Sequence, residues 1–600
     1  MVIPGLKLRL AAPTGLLLII ILAASCLPPL PKTDLTAEPS GLSWAARSLS
    51  RMTLEEKIGQ MLVVRAGGSF ANAESETVRN LESMVARLKV GGLTVFAGQV
   101  LETAWLVNHL QELAEVPLLV SSDYERGAAN RVEGATLFPP LMAIGATDSE
   151  ELAFQMGRIT AVEGRAMGIH QVLAPVVDVN INPQNPIINT RSIGEDPEQV
   201  ARLARAFILG CQQNGMLATA KHFPGQGDTD IDTHLNLAVI RGGRERLEKV
   251  ELYPFRRLVE AGVLSIMTGH LIVPALDPTA GRPATLSPVI LTGLLRNEMG
   301  FKGLIVTDAM DMGAITTLLP AGEAAVRAVE AGVDMVLLPL QPQEAARALI
   351  EAVRSGRIPL HRINSSVRRI LNIKARLGLH RQNLVPLERL PEIIGSPDNR
   401  RWATRAFEDS LTLVRNEGPV LPLADDRRKI AVLSLSSDED DYFAGRTFIQ
   451  EVVKRRPDTA FSYADARTCA AEIQASLEKA RQADAVAVAL FSNLRDKKGT
   501  VGLNPAHVQA VKDLAAVQKN MVVLSFGSPY FLQEFPEIPC YLCAYKASSE
   551  SQQVAARALF GEIDLKGRLP ISLPGFYERG HGLQLLAKPG PGAMDEEEHF

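Results

Sequence analysis

The sequence predicts an α/β protein, with an N-terminal (β/α)8 barrel of the TIM type followed by a smaller open α/β sandwich domain. Its 600 residues exceed what one ordinary hydrophobic core encloses, so two domains are expected. From about residue 55, short apolar runs alternate with amphipathic helical stretches. This alternation indicates parallel strands, because each connection between parallel strands needs a covering helix.

Eight apolar runs supply the predicted barrel strands, the number that closes such a barrel. They lie at 60–64, 91–96, 117–123, 171–179, 217–223, 264–270, 303–309 and 334–339. Four further runs predict the open sheet of the second domain, at 429–436, 485–491, 521–527 and 539–545. The expected boundaries are 49–385 for the barrel domain, 386–427 for a linker with one helix, 428–585 for the second domain and 586–600 for an acidic tail.

The composition is that of an ordinary globular protein, with 46 % apolar and 22 % charged residues. The formal net charge of −4 argues against nucleic acid or an anionic membrane surface as the main partner. Five cysteines are too few for a disulfide scaffold. Two of them, Cys540 and Cys543, fall in an apolar run, and we expect them to pack in a core.

The first 26 residues are expected to be a secretory signal, followed by a linker at 27–48. Lys7 and Arg9 precede an apolar stretch at 15–25, which is shorter than the ~20 residues that a membrane-spanning helix needs. LAASC resembles a bacterial lipoprotein signal with Cys26 as the lipidated residue, although the leucine lies one position further back than usual. Lipid anchoring, cleavage without lipidation and an uncleaved anchor helix stay open. The expected location is outside the cytoplasm: periplasmic, anchored to a membrane as a lipoprotein, or secreted.

Polar side chains close five of the eight predicted barrel strands. They are Asp123, Asp178, His222, His270 and Asp308. A buried strand has no structural need for a carboxylate or an imidazole at its end, whereas catalytic groups of such barrels lie where strands end and loops begin. The pattern therefore favours a functional site at the carboxyl ends of the strands over a set of loop caps.

The segment KHFPGQGDTDIDTH, residues 221–234, fits neither a helical nor a strand period, and its chemistry has several readings. Asp228, Asp230 and Asp232 alternate like the first ligands of a calcium loop, but the glycine and glutamate that complete such a loop are missing. The spacing permits a transition metal held by His222, His234 and an aspartate, but no usual ligand pattern is present. A solvated polar loop is the structural alternative.

The remaining reading is acid–base catalysis from a mobile loop, with Gly225 and Gly227 loosening the backbone. In an extended stretch Asp232 and His234 face the same way, so that the carboxylate orients the imidazole, which titrates near neutral pH. Asp308, at the end of a very apolar strand, can serve as a nucleophile or as an electrostatic partner to a developing cation. One carboxylate and one proton donor around a cavity are the minimum for retaining glycoside hydrolysis.

Four long motifs occur in a fixed order along the chain. They are APVVDVN-x-NP…RS-x-G-x-DP, KHFPG-x-GD-x-D-x-D-x-H, IMT-x-H…P-x-LDP…PATLS and GF-x-GLIV-x-DAM-x-M-x-AI. Together they resemble family 3 glycoside hydrolases, in the two-domain form of their β-N-acetylglucosaminidase (β-hexosaminidase) branch, over about residues 50–580. The resemblance implies hydrolysis of terminal non-reducing N-acetylglucosamine from peptidoglycan fragments or chito-oligosaccharides.

The resemblance also implies roles for individual residues. Asp308 matches the nucleophile that forms a glycosyl–enzyme intermediate, His234 the acid/base and Asp232 its partner. The positions that match the lining of the sugar subsite are Asp123, Arg131, Arg191, Lys221, His222 and His270. The implied partner is a carbohydrate carrying N-acetylglucosamine, and no metal or organic cofactor is implied.

Two departures from the resemblance keep alternatives open. Gln226 replaces a histidine of the usual KHFPGHG, and Arg126 replaces the first glycine of the usual D-x-EGGR-x-x-R at 123–131. The alternatives are a β-glucosidase or relaxed hexosaminidase of the same family, and a catalytically weak sugar-binding protein of the cell envelope. Phosphate is a further possible acceptor in place of water, because a histidine acid/base repels an anion less than a carboxylate would.

Overall fold

The computed structural model describes residues 34–36, 41–233, 235–423, 428–439, 441–492 and 502–588. The predicted signal with Cys26, the predicted acid/base His234 and residues 589–600 of the predicted tail lie outside this set. Among the residues that the structure describes, no helix combines the length and apolarity needed to cross a membrane.

Eight parallel strands form the predicted barrel, which is confirmed. They are β1 (Leu62–Gly68), β2 (Gly92–Gln99), β3 (Leu119–Ser122), β4 (Gln171–Val172), β5 (Leu217–Phe223), β6 (Ser265–Thr268), β7 (Leu304–Thr307) and β8 (Val336–Leu337). Each strand pairs with the next along the chain from β1 to β7, and β8 pairs with β1. A parallel bridge between Val306 and Met335 joins the last two strands and nearly closes the ring.

The fourth barrel strand is much shorter than the apolar run at 171–179 predicts. Its regular pairing ends at Val172, and a single bridge between Val176 and Lys221 follows. Pro175 lies between these two pairings, and a proline has no N–H to donate to a sheet ladder. The rest of the run, up to Asp178, is buried irregular chain that leads into the site.

Helices cover the barrel on the outside, as the alternating pattern predicts. Their bounds are Leu42–Arg51, Leu54–Gln60, Glu76–Ala86, Val100–Leu113, Glu150–Ala166, Pro197–Gln212, Arg244–Lys249, Leu252–Glu260, Gly313–Thr316, Ala321–Ala331, Pro342–Arg354 and Leu360–Arg376, with a π-helix at Val289–Glu298. A further helix, Leu141–Thr147, packs against the core of the second domain. The longest of them bury one face against the strands; helix Leu360–Arg376, for example, buries Ile363, Val367, Ile370 and Leu371.

The second domain is an open six-stranded sheet covered by helices. Its strands are β9 (Thr412–Asn416), β10 (Ile430–Ser436), β11 (Ala460–Ala464), β12 (Ala485–Phe491), β13 (Met521–Ser525) and β14 (Cys540–Cys543), in the order β9-β14-β13-β12-β10-β11. All neighbours are parallel except β9, which runs antiparallel to β14. Its helices are Leu390–Ile393 and Pro397–Ser410, which precede the sheet, and Arg446–Arg455, Ala470–Arg481, Pro505–Val517 and Ser549–Leu559.

Two of these six strands are absent from the sequence-based prediction. β9 lies inside the segment 386–427, which we expected to be a linker with one helix. β11 is the edge strand, and its sequence AFSYA is only partly buried, so it lacks the apolar run of a buried parallel strand. Cys540 and Cys543 are buried in β14, as expected.

The second domain contacts the loops that follow β4 of the barrel. The Nδ2 atom of Asn180 donates a hydrogen bond to the Tyr530 hydroxyl at 3.0 Å. The carboxylate of Glu195 accepts hydrogen bonds from the backbone N–H of Ser572 at 2.8 Å and from its hydroxyl at 2.6 Å. These contacts hold the second domain beside the carboxyl ends of the barrel strands.

Candidate active site

A cavity of about 610 Å³ lies at the carboxyl ends of the barrel strands. Its walls include Asp123 after β3, Lys221 and His222 in β5, and Asp308 after β7. These residues are far apart in sequence, and they meet because parallel barrel strands bring their carboxyl ends to one face. Lys546, which follows β14, brings the second domain to the same cavity. Sequence reasoning missed Lys546, because no local pattern shows which loop of a second domain reaches the barrel.

Asp308 presents its carboxylate to the cavity from the end of β7. Its Oδ1 atom accepts a hydrogen bond from the backbone N–H of Ala309 at 2.8 Å, and its side chain is 20 % exposed. Burial favours a raised pKa, but His222, His270 and Lys221 outweigh it and hold the pKa of Asp308 below its ordinary value. Asp308 is therefore an ionised carboxylate at neutral pH.

Asp178 fixes the ring of His222, which faces Asp308 on its other side. Oδ2 of Asp178 lies 2.7 Å from Nδ1 of His222, and Nε2 of His222 lies 3.9 Å from Oδ2 of Asp308. The same buried carboxylate accepts a hydrogen bond from the backbone N–H of Gln226 at 2.7 Å. Asp178 therefore orients both the imidazole and the beginning of the loop at 225–233.

Lys221 and two carboxylates form an ion-pair network in the wall of the same cavity. Its Nζ atom lies 3.0 Å from Oδ1 of Asp123 and 2.8 Å from Oε1 of Glu125. Arg131 pairs with Asp123 at 3.3 Å, and Arg191 binds both oxygens of Glu125 at 3.0 and 2.8 Å. The structure thus brings together four of the predicted sugar-binding residues.

The charges of this network control its protonation. Burial disfavours the charged form of Lys221, but Asp123 and Glu125 outweigh it and raise the pKa of the lysine. Burial by itself would raise the pKa of Glu125, but Arg191 and Lys221 outweigh it and bring this pKa well below its ordinary value. Glu125 is not among the predicted site residues. The available signal was its position two residues after Asp123, which directs both side chains to one side of an extended chain.

The loop at 225–233 is folded against the barrel. Gln226, Asp232 and Thr233 are buried, and the Nε2 atom of Gln226 donates to the Thr233 hydroxyl at 2.8 Å. Its two glycines serve shape and packing in the structure. Gly225 has φ +131°, and a Cβ at Gly227 would lie 1.7 Å from the backbone oxygen of Val179.

His270 is not among the residues that line the cavity, but it contacts Ala309, which does. Its implied position in the sugar subsite stays a prediction. Its Nδ1 atom lies 2.8 Å from the Thr285 hydroxyl, and its Nε2 atom lies 3.0 Å from the backbone oxygen of Ala309. Because both ring nitrogens have protein partners, His270 supports the backbone next to Asp308.

The described residues contain no group of three or more histidines, cysteines, aspartates or glutamates that could hold a metal ion. The aspartates of the calcium-like pattern have other surroundings. Asp228 forms an ion pair with Arg246 at 2.7 Å, Asp230 is exposed, and Asp232 is buried.

Comparisons with known proteins agree with this architecture. The glycosyl hydrolase family 3 N terminal domain matches residues 53–373, and the family 3 C-terminal domain matches residues 411–586. A β-N-acetylglucosaminidase/β-glucosidase of Cellulomonas fimi is 30 % identical over 90 % of this chain and 98 % of its own length.

Two solved structures extend the likeness to the whole fold. The family 3 β-N-acetylglucosaminidase of Paenibacillus sp. str. FPU-7 has a TM-score of 0.77 and 32 % identity, over 87 % of this chain and 99 % of its own. A β-glucoside phosphorylase has a TM-score of 0.80 and 26 % identity, over 90 % of this chain and 98 % of its own. With both family domains matched in order, and with a carboxylate-lined cavity at the barrel face, the chain belongs to glycosyl hydrolase family 3 and is a glycoside hydrolase.

Proposed function

We propose that the protein is a retaining β-N-acetylglucosaminidase that removes terminal non-reducing N-acetylglucosamine from peptidoglycan fragments or chito-oligosaccharides. The observation that carries the proposal is the ionised carboxylate of Asp308 in a cavity that Gln226 and Thr233 of the loop at 225–233 also line. In the sequence, His234 directly follows this loop. The names of the relatives from Cellulomonas fimi and Paenibacillus support the choice of sugar.

The proposed mechanism has two steps, in which Asp308 and His234 act on opposite faces of the sugar. Asp308 attacks the anomeric carbon while His234, oriented by Asp232, protonates the leaving oxygen. His234 then removes a proton from the incoming water, which releases the sugar from Asp308. Asp123 accepts hydrogen bonds from sugar hydroxyls, and Lys221, Arg191 and His222 donate to hydroxyl or acetamido oxygens.

Nitrophenyl N-acetylglucosaminide tests this mechanism directly. The variants Asp308→Asn and His234→Ala are each expected to lower kcat/KM, and loss of the nucleophile is expected to cost about 10⁴-fold or more. Azide is expected to restore turnover to the His234→Ala variant, because an anionic nucleophile needs no general base. Asp230→Asn, an exposed aspartate of the same loop, serves as the matched control. Variants of Asp308 and His234 that are as active as the wild type would exclude the mechanism.

A second candidate is a β-glucosidase or relaxed hexosaminidase, because the Cellulomonas fimi relative bears both activities in its name. The ratio of kcat/KM on the N-acetylglucosaminide to that on the glucoside discriminates between the two. The likeness to a β-glucoside phosphorylase also keeps phosphate as an acceptor, and product analysis with and without phosphate tests it. A sugar 1-phosphate formed only when phosphate is present would identify phosphorolysis.

We also propose that the protein is exported, with lipid attachment at Cys26. The basic residues, the apolar stretch and LAASC in the first 26 residues support this proposal. The intact mass of protein extracted from membranes tests it. A chain that still begins at Met1 excludes cleavage, and a mature chain without added lipid mass excludes the anchor.

A further inference from the structure

A cluster of charged side chains holds the loop at 225–233 from outside the cavity. Arg246 lies in the helix Arg244–Lys249, and its Nη1 atom is 2.7 Å from Oδ2 of Asp228 in the loop. Its Nη2 atom donates hydrogen bonds to Oε1 of Glu251 at 2.5 Å and to the backbone oxygen of Arg241 at 2.8 Å. None of these four described residues lines the cavity. One guanidinium therefore joins the loop to two points of the chain that follows it.

Glu251 connects this cluster to the barrel core. Its side chain is 1 % exposed, and it directly precedes the helix Leu252–Glu260, which packs Leu252 and Phe255 into the core. A Cβ at Gly225 would lie 2.6 Å from Cβ of Glu251, so the beginning of the loop lies against this residue without room for a side chain. Packing thus fixes the distance between the loop and Glu251, and Arg246 bonds to both.

The charges of the cluster make the loop depend on Arg246. Burial raises the pKa of Glu251, Arg246 lowers it, and Asp228 raises it further. The two carboxyl groups therefore disfavour each other's ionised forms, and Arg246 is the cation that they share. Removing the guanidinium would leave Asp228 beside a buried carboxyl group that repels it, so the loop would lose its attachment on this side.

The bond to Asp228 holds the loop between its two ends. Hydrogen bonds of Gln226 hold the beginning of the loop and link it to Thr233 at the end. Asp228 lies between these attachments, and Arg246 bonds to it from outside the cavity. In the sequence, His234 directly follows the loop. The ion pair therefore restrains the segment that leads to the proposed acid/base.

We propose that Arg246 is a positioning residue for acid–base catalysis, which acts by holding Asp228 and thereby the loop that leads to His234. The inference rests on the proposed function, which assigns the proton transfers to His234. Arg246 does not line the cavity, and Asp308 follows a different strand, so attack on the anomeric carbon does not depend on this ion pair. The expected defect is therefore specific to the steps in which a proton is transferred.

The test compares two aryl N-acetylglucosaminides that differ in their need for a proton. Dinitrophenolate leaves without protonation, whereas phenolate needs a general acid. Arg246→Gln is expected to lower kcat/KM about 10- to 100-fold for the phenyl glycoside, the cost of a displaced catalytic group, and less than about threefold for the dinitrophenyl glycoside. With the dinitrophenyl glycoside, kcat and KM should fall together because the glycosyl–enzyme intermediate waits for the general base, and azide should restore kcat.

Two further variants separate this role from an effect on folding. Asp228→Asn removes the same ion pair but leaves the contact between Arg246 and Glu251 in place. It should show the same dependence on the leaving group with a melting temperature close to that of the wild type, and combining it with Arg246→Gln should add little to the defect. Arg246→Lys keeps the charge but loses the fork of donors, so its kcat/KM for the phenyl glycoside should lie between those of the wild type and Arg246→Gln.

Arg244→Gln is the matched control, because Arg244 lies in the same helix and pairs with Glu298. It should leave kcat/KM for both glycosides within about twofold of the wild type. If Arg246→Gln and Asp228→Asn lower kcat/KM for both glycosides by one common factor, or leave both unchanged, the inference fails while the proposed function stands. If the wild type cleaves neither glycoside, or if His234→Ala shows no dependence on the leaving group, the proposed function fails and the inference fails with it.

Discussion

The side chain of Gln226 closes the loop that carries Asp232, because its Nε2 atom donates a hydrogen bond to the Thr233 hydroxyl at 2.8 Å. Both side chains are buried and both line the cavity. The backbone of Gln226 is fixed independently, by Asp178 on its N–H and by Asn185 on its oxygen. Gln226, which departs from the family pattern, thus links the end of the loop at Thr233 to its beginning, which Asp178 and Asn185 hold in place.

The bond between Gln226 and Thr233 can be measured with a double-mutant cycle. Gln226→Ala and Thr233→Val each remove it, and we expect each to lower kcat/KM about 3- to 10-fold because Asp232 loses a fixed neighbour. The double variant should lose little more than either single variant, with a coupling of about 1 kcal/mol. Two single effects that simply add in the double variant would show that the loop is held elsewhere.

The low pKa of Asp308 predicts where activity is lost in acid. Its native pKa lies below the ordinary value because His222, His270 and Lys221 outweigh the effect of burial. The ionised form is the nucleophile, so the acid limb of kcat/KM that belongs to Asp308 should lie below about pH 3.8. Replacing His222 by Asn removes one of these groups and should move that limb to higher pH. An acid limb that His222→Asn leaves in place would contradict this account.

Loss of the buried cation at Lys221 should destabilise the fold as well as the site. Lys221→Met leaves Asp123 and Glu125 with less compensating charge, which is expected to cost about 3–5 kcal/mol of unfolding free energy. Lys302→Met removes an exposed lysine and should change it by less than about 0.5 kcal/mol. Urea unfolding at pH 7 measures both variants. Equal midpoints for Lys221→Met and the wild type would mean that the network contributes nothing.

The same ion-pair network makes the stability of the fold depend on pH under acidic conditions. The pKa of Glu125 in the folded protein is far below its ordinary value, so the ionised side chain stabilises the folded state. This contribution is complete above the pKa that Glu125 has in the unfolded chain, and it is lost as the pH falls through its pKa in the folded protein. In Lys221→Met the native pKa of Glu125 should rise. The variant is therefore expected to lose stability at a higher pH than the wild type on acidification, as followed by the melting temperature.

The pKa of Glu251 is raised rather than lowered, so this residue predicts a second pH range in which the stability of the fold changes. It packs under the loop at 225–233, beside Arg246, and burial raises its pKa to about 7 although Arg246 opposes the rise. The native state keeps a proton that the unfolded chain has released, so this stabilisation is complete below about pH 4.5 and is lost as the pH rises through about 7. The shift corresponds to a contribution on the order of 3 kcal/mol.

The variant Glu251→Gln removes that titration. We expect the melting temperature to fall less between pH 5 and pH 8 in Glu251→Gln than in the wild type. Glu260→Gln, an exposed glutamate of the following helix, should behave like the wild type. If the melting temperature of Glu251→Gln falls as much as that of the wild type over this pH range, another group causes the loss of stability.

Sequence periodicity predicted most of the fold, because buried parallel strands carry continuous apolar runs that are recognisable without tertiary information. All eight barrel strands were found in this way, whereas the edge strand Ala460–Ala464 was missed because half-exposed strands lack such runs. The strand at Thr412–Asn416 was missed because its antiparallel pairing with the distant strand Cys540–Cys543 defines it as part of the second sheet. Its local sequence, which lies within the expected linker, does not identify it as a strand of that sheet.

The sequence by itself also determined the family and placed Asp308, His222 and Lys221 at strand ends, because the barrel topology fixes which ends share a face. Only the tertiary structure decided how the charged groups are paired. It linked Glu125 to Lys221 and Arg191, and it bonded the ring nitrogens of His270 to Thr285 and to the backbone of Ala309. Among the described residues, it left Arg126 without a carboxylate within ion-pair distance. The reason is physical: an ion pair depends on distances of 3–4 Å between side chains from different loops, and local sequence does not encode those distances.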